Sequence, residues 1–140
     1  RNLFLAMMVK ELQREVRKAA RDAVTLAMRP NMTSDVPLEK YSCTYTGKRM
    51  PIIDMIHLLA PAMPIYDYTK NPRRDMSREF YTFTFSLSEK NETDAVAQLE
   101  RGINVAVVFD TKAGHPLPSH YTLGGQVFVR AAKQTTFMSA

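Results

Sequence analysis

The chain keeps its candidate chemistry in short polar clusters, each just after an apolar or aromatic run. They are "NMTSD" with Asn31, Ser34 and Asp35, "DYTKNP" with Asp67 and Lys70, "SLSEKN" with Ser86, Ser88, Glu89 and Asn91, and "DTK" with Asp110. Glu89 or Asp67 could exchange a proton with a bound molecule, and Lys70 could hold an anionic group. Asn31, Ser34, Asp35, Ser86, Ser88, Asn91 and Asp110 supply the amides, hydroxyls and carboxylates that would orient a polar substrate by hydrogen bonds. Together they make the chemistry of an enzyme-like pocket: Glu89, Asp67 and Lys70 as catalytic groups and the other seven as substrate-binding groups.

Each residue also has a plainer reading. Asn91, three residues before Asp94, fits a variant capping box better than a ligand. Ser34 and Asp35 are common turn formers. Asp67 stands between Tyr66 and Tyr68, so strand alternation sends it to the opposite side from both. A buried acid there needs a partner, and Lys70 or Lys133 could supply one. Lys70, Arg73 and Arg74 make a basic loop that reads first as solvated and second as phosphate-binding. His57 lies in an apolar run and reads as packing, while His115 and His120, flanking "PLPS", are weak evidence for a metal. The sequence contains no His-Glu-x-x-His, no Gly-x-Ser-x-Gly and no phosphate-binding Gly-Lys-Ser/Thr loop.

The elements that must position these clusters follow from periodicity. Leu5, Met8, Leu12, Val16, Ala19, Ala20 and Ala23 recur at helical steps, predicting a helix from about Leu3 to Val24. Its other face is charged, with Glu11–Arg14, Glu15–Lys18 and Lys18–Asp22 as expected pairs. A short strand is expected at Leu26–Met28, a loop over 36–50, and a helix opened by Pro51 at its first position. Further strands are expected at Ile65–Tyr68, Tyr81–Phe85, "NVAVVF" and "QVFVRAA", with a helix at Glu92–Glu100. The unbroken apolar run in "NVAVVF" suits a central strand buried on both faces. With no Asn-Gly or Asp-Gly turn between strands, the alternation predicts one α/β domain over residues 1–140. Its expected form is a mainly parallel sheet of about five strands with crossover helices, open or partial TIM-barrel-like. In that architecture the polar clusters meet beyond the carboxyl ends of the strands.

Composition bounds the function. The chain has 140 residues, 45% of them apolar, enough for a real core. One cysteine, Cys43, excludes an internal disulfide and an all-cysteine metal site within this chain. No apolar run approaches the roughly 18 residues of a membrane span. The net charge of +5 favours anionic partners weakly. Weak, nonspecific nucleic-acid binding is therefore expected, since acids interleave the bases of the first helix.

Four motifs, "MRPNMTSD", "IYDYTKNP", "FTFSLSEKN" and "INVAVVFDT", in this order and spacing, resemble a family of phage and prophage proteins similar to phage gene product eighty-eight. The resemblance covers about Arg1 to Thr111. It implies a phage-encoded protein in the cytoplasm of an infected bacterial host. Family members carry Gly where this chain has Met32, a Cys-rich segment upstream of the position of Leu3, and an acidic "DGD"-type motif between the fourth and fifth strands. The last two are absent here and the junction at Gly125–Val127 looks shortened, so the chain is expected to be part of a longer protein. The family's clustered cysteines imply a metal or iron–sulfur centre, as in radical S-adenosylmethionine enzymes. With Cys43 alone, such a cluster requires residues outside this chain. Two classes of function stay open: an enzyme domain acting on a small polar or anionic substrate, and a noncatalytic phage protein that binds nucleic acid or a protein partner through its basic surface.

Overall fold

The computed structural model describes residues 2–110 and 115–129. Helix α1 spans Asn2–Arg21. Its apolar stripe buries Leu12 and Ala19 and packs Leu5, Met8, Val9 and Val16 against the main core. The helix stops short of the expected Val24 because Ala23 takes a left-handed conformation, φ 52°, and the Val24 amide turns back to the Ala19 carbonyl at 3.0 Å.

Residues 36–50, expected as loop, hold a 3-10 turn at Leu38–Lys40 and an antiparallel hairpin of β1 (Ser42–Tyr45) and β2 (Lys48–Pro51). The turn residues Thr46 and Gly47 both have positive φ, 47° and 79°. This is the backbone twist that a two-residue hairpin turn requires. Helix α2 (Ile52–Leu59) follows at once; Pro51 precedes it as the last residue of β2 rather than as its first residue. Ile52, Ile53, Met55 and Ile56 bury its apolar face, and His57 stacks on Phe80 with ring centroids 4.0 Å apart, a packing role as expected.

Strands β3 (Ile65–Thr69) and β4 (Tyr81–Ser86) pair in parallel, helix α3 (Glu92–Glu100) follows, and β5 (Asn104–Ala106) pairs in parallel with β4. Leu26–Met28 does not make a full strand. Met28 forms a single parallel bridge to Ile65, its amide donating to the Pro64 carbonyl and its carbonyl accepting from the Tyr66 amide. The last described elements, β6 (His120–Leu123) and β7 (Gln126–Val129), form a second antiparallel hairpin. Gly124 and Gly125 make its turn, with φ 56° and 75°.

The expected mainly parallel five-stranded sheet, open or partial TIM-barrel-like, is therefore incorrect. The sheets are one of three parallel strands in the order β3-β4-β5 and two antiparallel pairs. Two physical causes account for the difference. Thr46–Gly47 and Gly124–Gly125 supply consecutive left-handed residues as well as Asn-Gly does, so stretches expected as loops close into antiparallel hairpins. Leu26–Met28 adds a single bridge rather than a full strand, so the parallel sheet stops at three strands. "NVAVVF" is not central: only Asn104–Ala106 pairs, at the sheet edge, and Val108 is 94% exposed. "QVFVRAA" supplies β7 of an antiparallel pair up to Val129, and its remainder lies outside the described residues.

Burial alternates along the parallel strands. Ile65, Asp67, Thr69, Tyr81, Phe83 and Phe85 are buried on one face, while Tyr66, Tyr68 and Thr84 are half-buried and Thr82 exposed on the other. The main core joins Ile65, Tyr81 and Phe83 to α2 and Cys43. A smaller core joins Phe85 to Ala95 of α3 and Leu123 of β6, with Val105 and Phe128 against it.

Candidate functional site

The parallel register sets Thr69 opposite Phe85 and Ser86 opposite Ala106, so the polar residues that follow β3, β4 and β5 emerge at one edge of the sheet. They divide there into an enclosed network and an open cavity.

The network centres on Asp67, whose side chain points into the buried face and is 0% exposed. Its Oδ2 accepts hydrogen bonds from Asn31 Nδ2 at 2.5 Å and from the Tyr81 hydroxyl at 2.9 Å; its Oδ1 accepts from the Tyr68 amide at 3.1 Å. Asn31 also donates to the Val36 carbonyl and accepts from the Ser34 hydroxyl and the Val36 amide, which folds residues 31–36 into a tight loop. Arg74, with no exposed side-chain surface, donates to both Glu39 oxygens at 2.7 and 3.0 Å, to Asp35 at 2.5 Å and to the Tyr81 hydroxyl at 3.0 Å. Its guanidinium also lies 4.7 Å from the Phe83 ring centroid. Asp35 accepts further from the Thr69 hydroxyl and the Lys70 amide. A buried arginine requires this many acceptors, because its charge would otherwise be costly away from water.

Burial acts first on Asp67, Asp35, Arg74 and Tyr81. It holds the Asp67 carboxyl above the ordinary carboxylate value, against the lowering effect of Asn31, Tyr81 and the Tyr68 amide. In Asp35 burial also pushes upward, but the Thr69 hydroxyl, the Lys70 amide and Arg74 outweigh it, and the carboxyl lies below its ordinary value. Burial would weaken Arg74 as a cation, yet Glu39, Tyr81 and Asp35 raise its pKa further. Burial and then the Asp67 charge raise the Tyr81 phenol, so it stays protonated and donates to Asp67. The result ties five segments together: the 31–36 loop, the 3-10 turn, β3, the 70–80 link and β4. Asp67 is enclosed among protein groups, and its partners are Asn31 and Tyr81 rather than Lys70. Lys133, the other expected partner, lies outside the described residues.

The cavity lies beyond the ends of β4 and β5. Its volume is about 570 Å³, and Ser88, Glu89, Glu92 and Asp110 share its lining with Leu87, Val107, Val108, Phe109, Tyr121 and Leu123. Asn91 is not part of the lining but holds the turn that carries Ser88 and Glu89. Its Oδ1 accepts from the Ser88 amide at 2.7 Å and its Nδ2 donates to the Ser86 carbonyl at 3.0 Å. It therefore clips the strand-to-helix turn and makes no side-chain cap to α3, contrary to the capping-box reading. Glu92 Oε1 accepts from the Gly124 amide at 2.8 Å and ties α3 to the turn of the second hairpin. Glu89 and Asp110 have no hydrogen-bond or ion-pair partner among the described residues.

Of the ten residues singled out from sequence, Asn31, Ser34, Asp35 and Asp67 meet in the network, and Ser88, Glu89 and Asp110 meet in the cavity. Ser86 and Asn91 hold the turn between β4 and α3. Lys70 gives only its backbone amide to Asp35, and its side chain is exposed. Asn31, Asp35, Asp67 and Lys70 are not among the residues lining the cavity. Sequence reasoning missed Glu39, Thr69, Tyr81 and Glu92, and read Arg74 as solvated. A strand tyrosine in phase with Phe83 and Phe85 was one available signal, because a buried phenol needs a partner. Glu39 and Arg74 are 35 residues apart and carry no local pattern.

On α1, Arg14 pairs with Glu11 as expected, while Glu15 meets Arg14 and Asp22 meets Arg21 instead of Lys18; all three pairs are exposed. Among the described residues no group of three His, Cys, Asp or Glu side chains could hold a metal ion, and no helix is long and apolar enough to cross a membrane. Cys43 is buried against Met55, with sulfurs 3.6 Å apart. With one cysteine, itself buried, the residues present do not fit an iron–sulfur centre.

Comparison with known proteins gives one family. The family model described as Gene product 88 matches residues 1–139, in agreement with the resemblance of the four motifs. No curated protein and no solved structure matches the chain.

Proposed function

We propose that this chain, which belongs to the Gene product 88 family of phage proteins, binds a small polar molecule in the cavity at the carboxyl ends of β4 and β5. The observation that carries this reading is the meeting of Glu89 and Asp110, both without partners among the described residues, with Ser88 in one concave space. Carboxylates without partners attract donor-rich or cationic groups, so a ligand bearing an amine or guanidinium fits better than an anion. Phe109 and Tyr121, stacked edge to face with centroids 5.4 Å apart, offer an apolar wall to the rest of the ligand. Glu89 is the group placed to accept a proton from a bound amine or hydroxyl. The Asp67–Arg74 network supports the reading from beneath, by fixing the sheet edge from which the cavity loops start.

Titration of the full chain with arginine methyl ester and with putrescine, followed by NMR, tests this reading. Saturable shifts at Tyr121 and Ser88 are expected, and Glu89→Gln should weaken binding while leaving the melting temperature within about 2 °C, as for other surface changes. Binding unaffected by Glu89→Gln, or shifts confined to the charged face of α1, would overturn it.

A further inference from the structure

A second cavity, of about 760 Å³, lies between α1 and the β1–β2 hairpin. Its deeper wall is apolar: Leu5 and Val9 of α1, with Cys43 and Met55 from the main core. Its rim is polar and basic, with Lys10 and Gln13 on α1 and Arg49 on β2. No Asp or Glu lines it. Lys10 and Arg49 are exposed and have no ion pair among the described residues, whereas Arg14, Arg21, Arg74 and Arg78 all do.

We infer that this cavity binds an amphipathic anion, an aliphatic chain ending in a carboxylate or phosphate. Charge complementarity selects the headgroup. Lys10 and Arg49 line the cavity with no Asp or Glu among its lining residues, and a guanidinium and an ammonium both hold carboxylate or phosphate through charge-assisted hydrogen bonds. The apolar wall selects the tail, because seating a chain against the half-buried Leu5 and Val9 removes apolar surface from water on both sides. Met55 adapts to such a chain without a fixed shape, its thioether being flexible and polarizable. The volume suits a ligand of ordinary small-molecule size. The site shares no lining residue with the cavity at the strand ends, so the two bind independently.

The full chain, labelled with ¹³C at its methionine methyls, is titrated with decanoate, decyl phosphate and decyltrimethylammonium, each below its micelle concentration. Saturable shifts of the Met55 methyl with the two anions, and no matching shift with the cation, are expected. The stronger of the two anions identifies the headgroup. Lys10→Glu with Arg49→Glu should weaken anion binding about tenfold or more, since charge-assisted contacts hold the headgroup. Both side chains are exposed, so the melting curve should be unchanged and loss of binding cannot be attributed to unfolding. Equal shifts with the cation, anion affinity unchanged by the two charge reversals, or no shift at Met55 would each overturn the inference.

Discussion

Replacing Arg74 with Met tests the buried network at its most connected residue. The change removes four side-chain hydrogen bonds: two to Glu39, one to Asp35 and one to the Tyr81 hydroxyl. Met keeps the aliphatic stem of the side chain and loses the guanidinium, so the loss is chiefly electrostatic with a small void added where the guanidinium faced Phe83. Asp35 is a third exposed and can recover water, but the Glu39 side chain has no exposed surface and is left as an unpaired buried carboxylate. Breaking a buried pair from one side costs roughly 3–5 kcal/mol. Against a total stability of about 5–15 kcal/mol for one domain, that is a large share. At this chain length it corresponds to a fall in melting temperature of roughly 10–20 °C. Urea unfolding followed by circular dichroism measures it. The double variant Arg74→Met with Glu39→Leu should recover more than half of the loss, because it removes the stranded charge as well. Arg74→Lys should fall between, keeping a charge but losing the paired contact with both Glu39 oxygens. A loss below about 1 kcal/mol for Arg74→Met, the range of exposed pairs, would refute the reasoning by showing that water reaches Glu39.

Two further outcomes follow from the same structure. Carboxyl ¹³C NMR should find Asp67 titrating above the ordinary value of 3.8 and Asp35 below it. Because Asp35 is depressed in the folded state, its contribution to stability is present above that value and lost as pH falls through the folded pKa. The stability gap between the natural chain and Asp35→Asn should therefore close in strong acid, while Asp67, with its raised pKa, adds a cost that grows as pH rises above 3.8. A gap that widens on acidification would contradict the Asp35 assignment, and an Asp67 carboxyl titrating below 3.8 would contradict the other. Gly124→Ala should destabilise the second hairpin by about 1 kcal/mol or more, since its φ of 56° disfavours a side chain and a Cβ there would lie 2.8 Å from Val96. Unchanged amide exchange in β6 and β7 would count against that geometry.

The sequence by itself determined those features that depend on local spacing. Helical periodicity placed α1, α2 and α3, because a packed helix must bury every third or fourth residue. Strand alternation placed Asp67 opposite its tyrosine neighbours, and the recurrence of polar clusters after apolar runs located the sheet edge at which Ser88, Glu89 and Asp110 gather. The motif order identified the family. Only the tertiary structure decided the rest. Whether a strand pairs in parallel or folds back depends on the φ angles of two turn residues, and Thr46–Gly47 and Gly124–Gly125 reversed the chain where open loops were expected. Which carboxylates are enclosed depends on partners distant in sequence. Arg74 reads as one of three basic loop residues until the fold brings Glu39 and Asp35 to it and leaves Lys70 in solvent. Periodicity records which side of an element is buried, but ion pairing across 35 residues leaves no periodic trace, so the network became visible only when the sheet and the link between β3 and β4 closed around it.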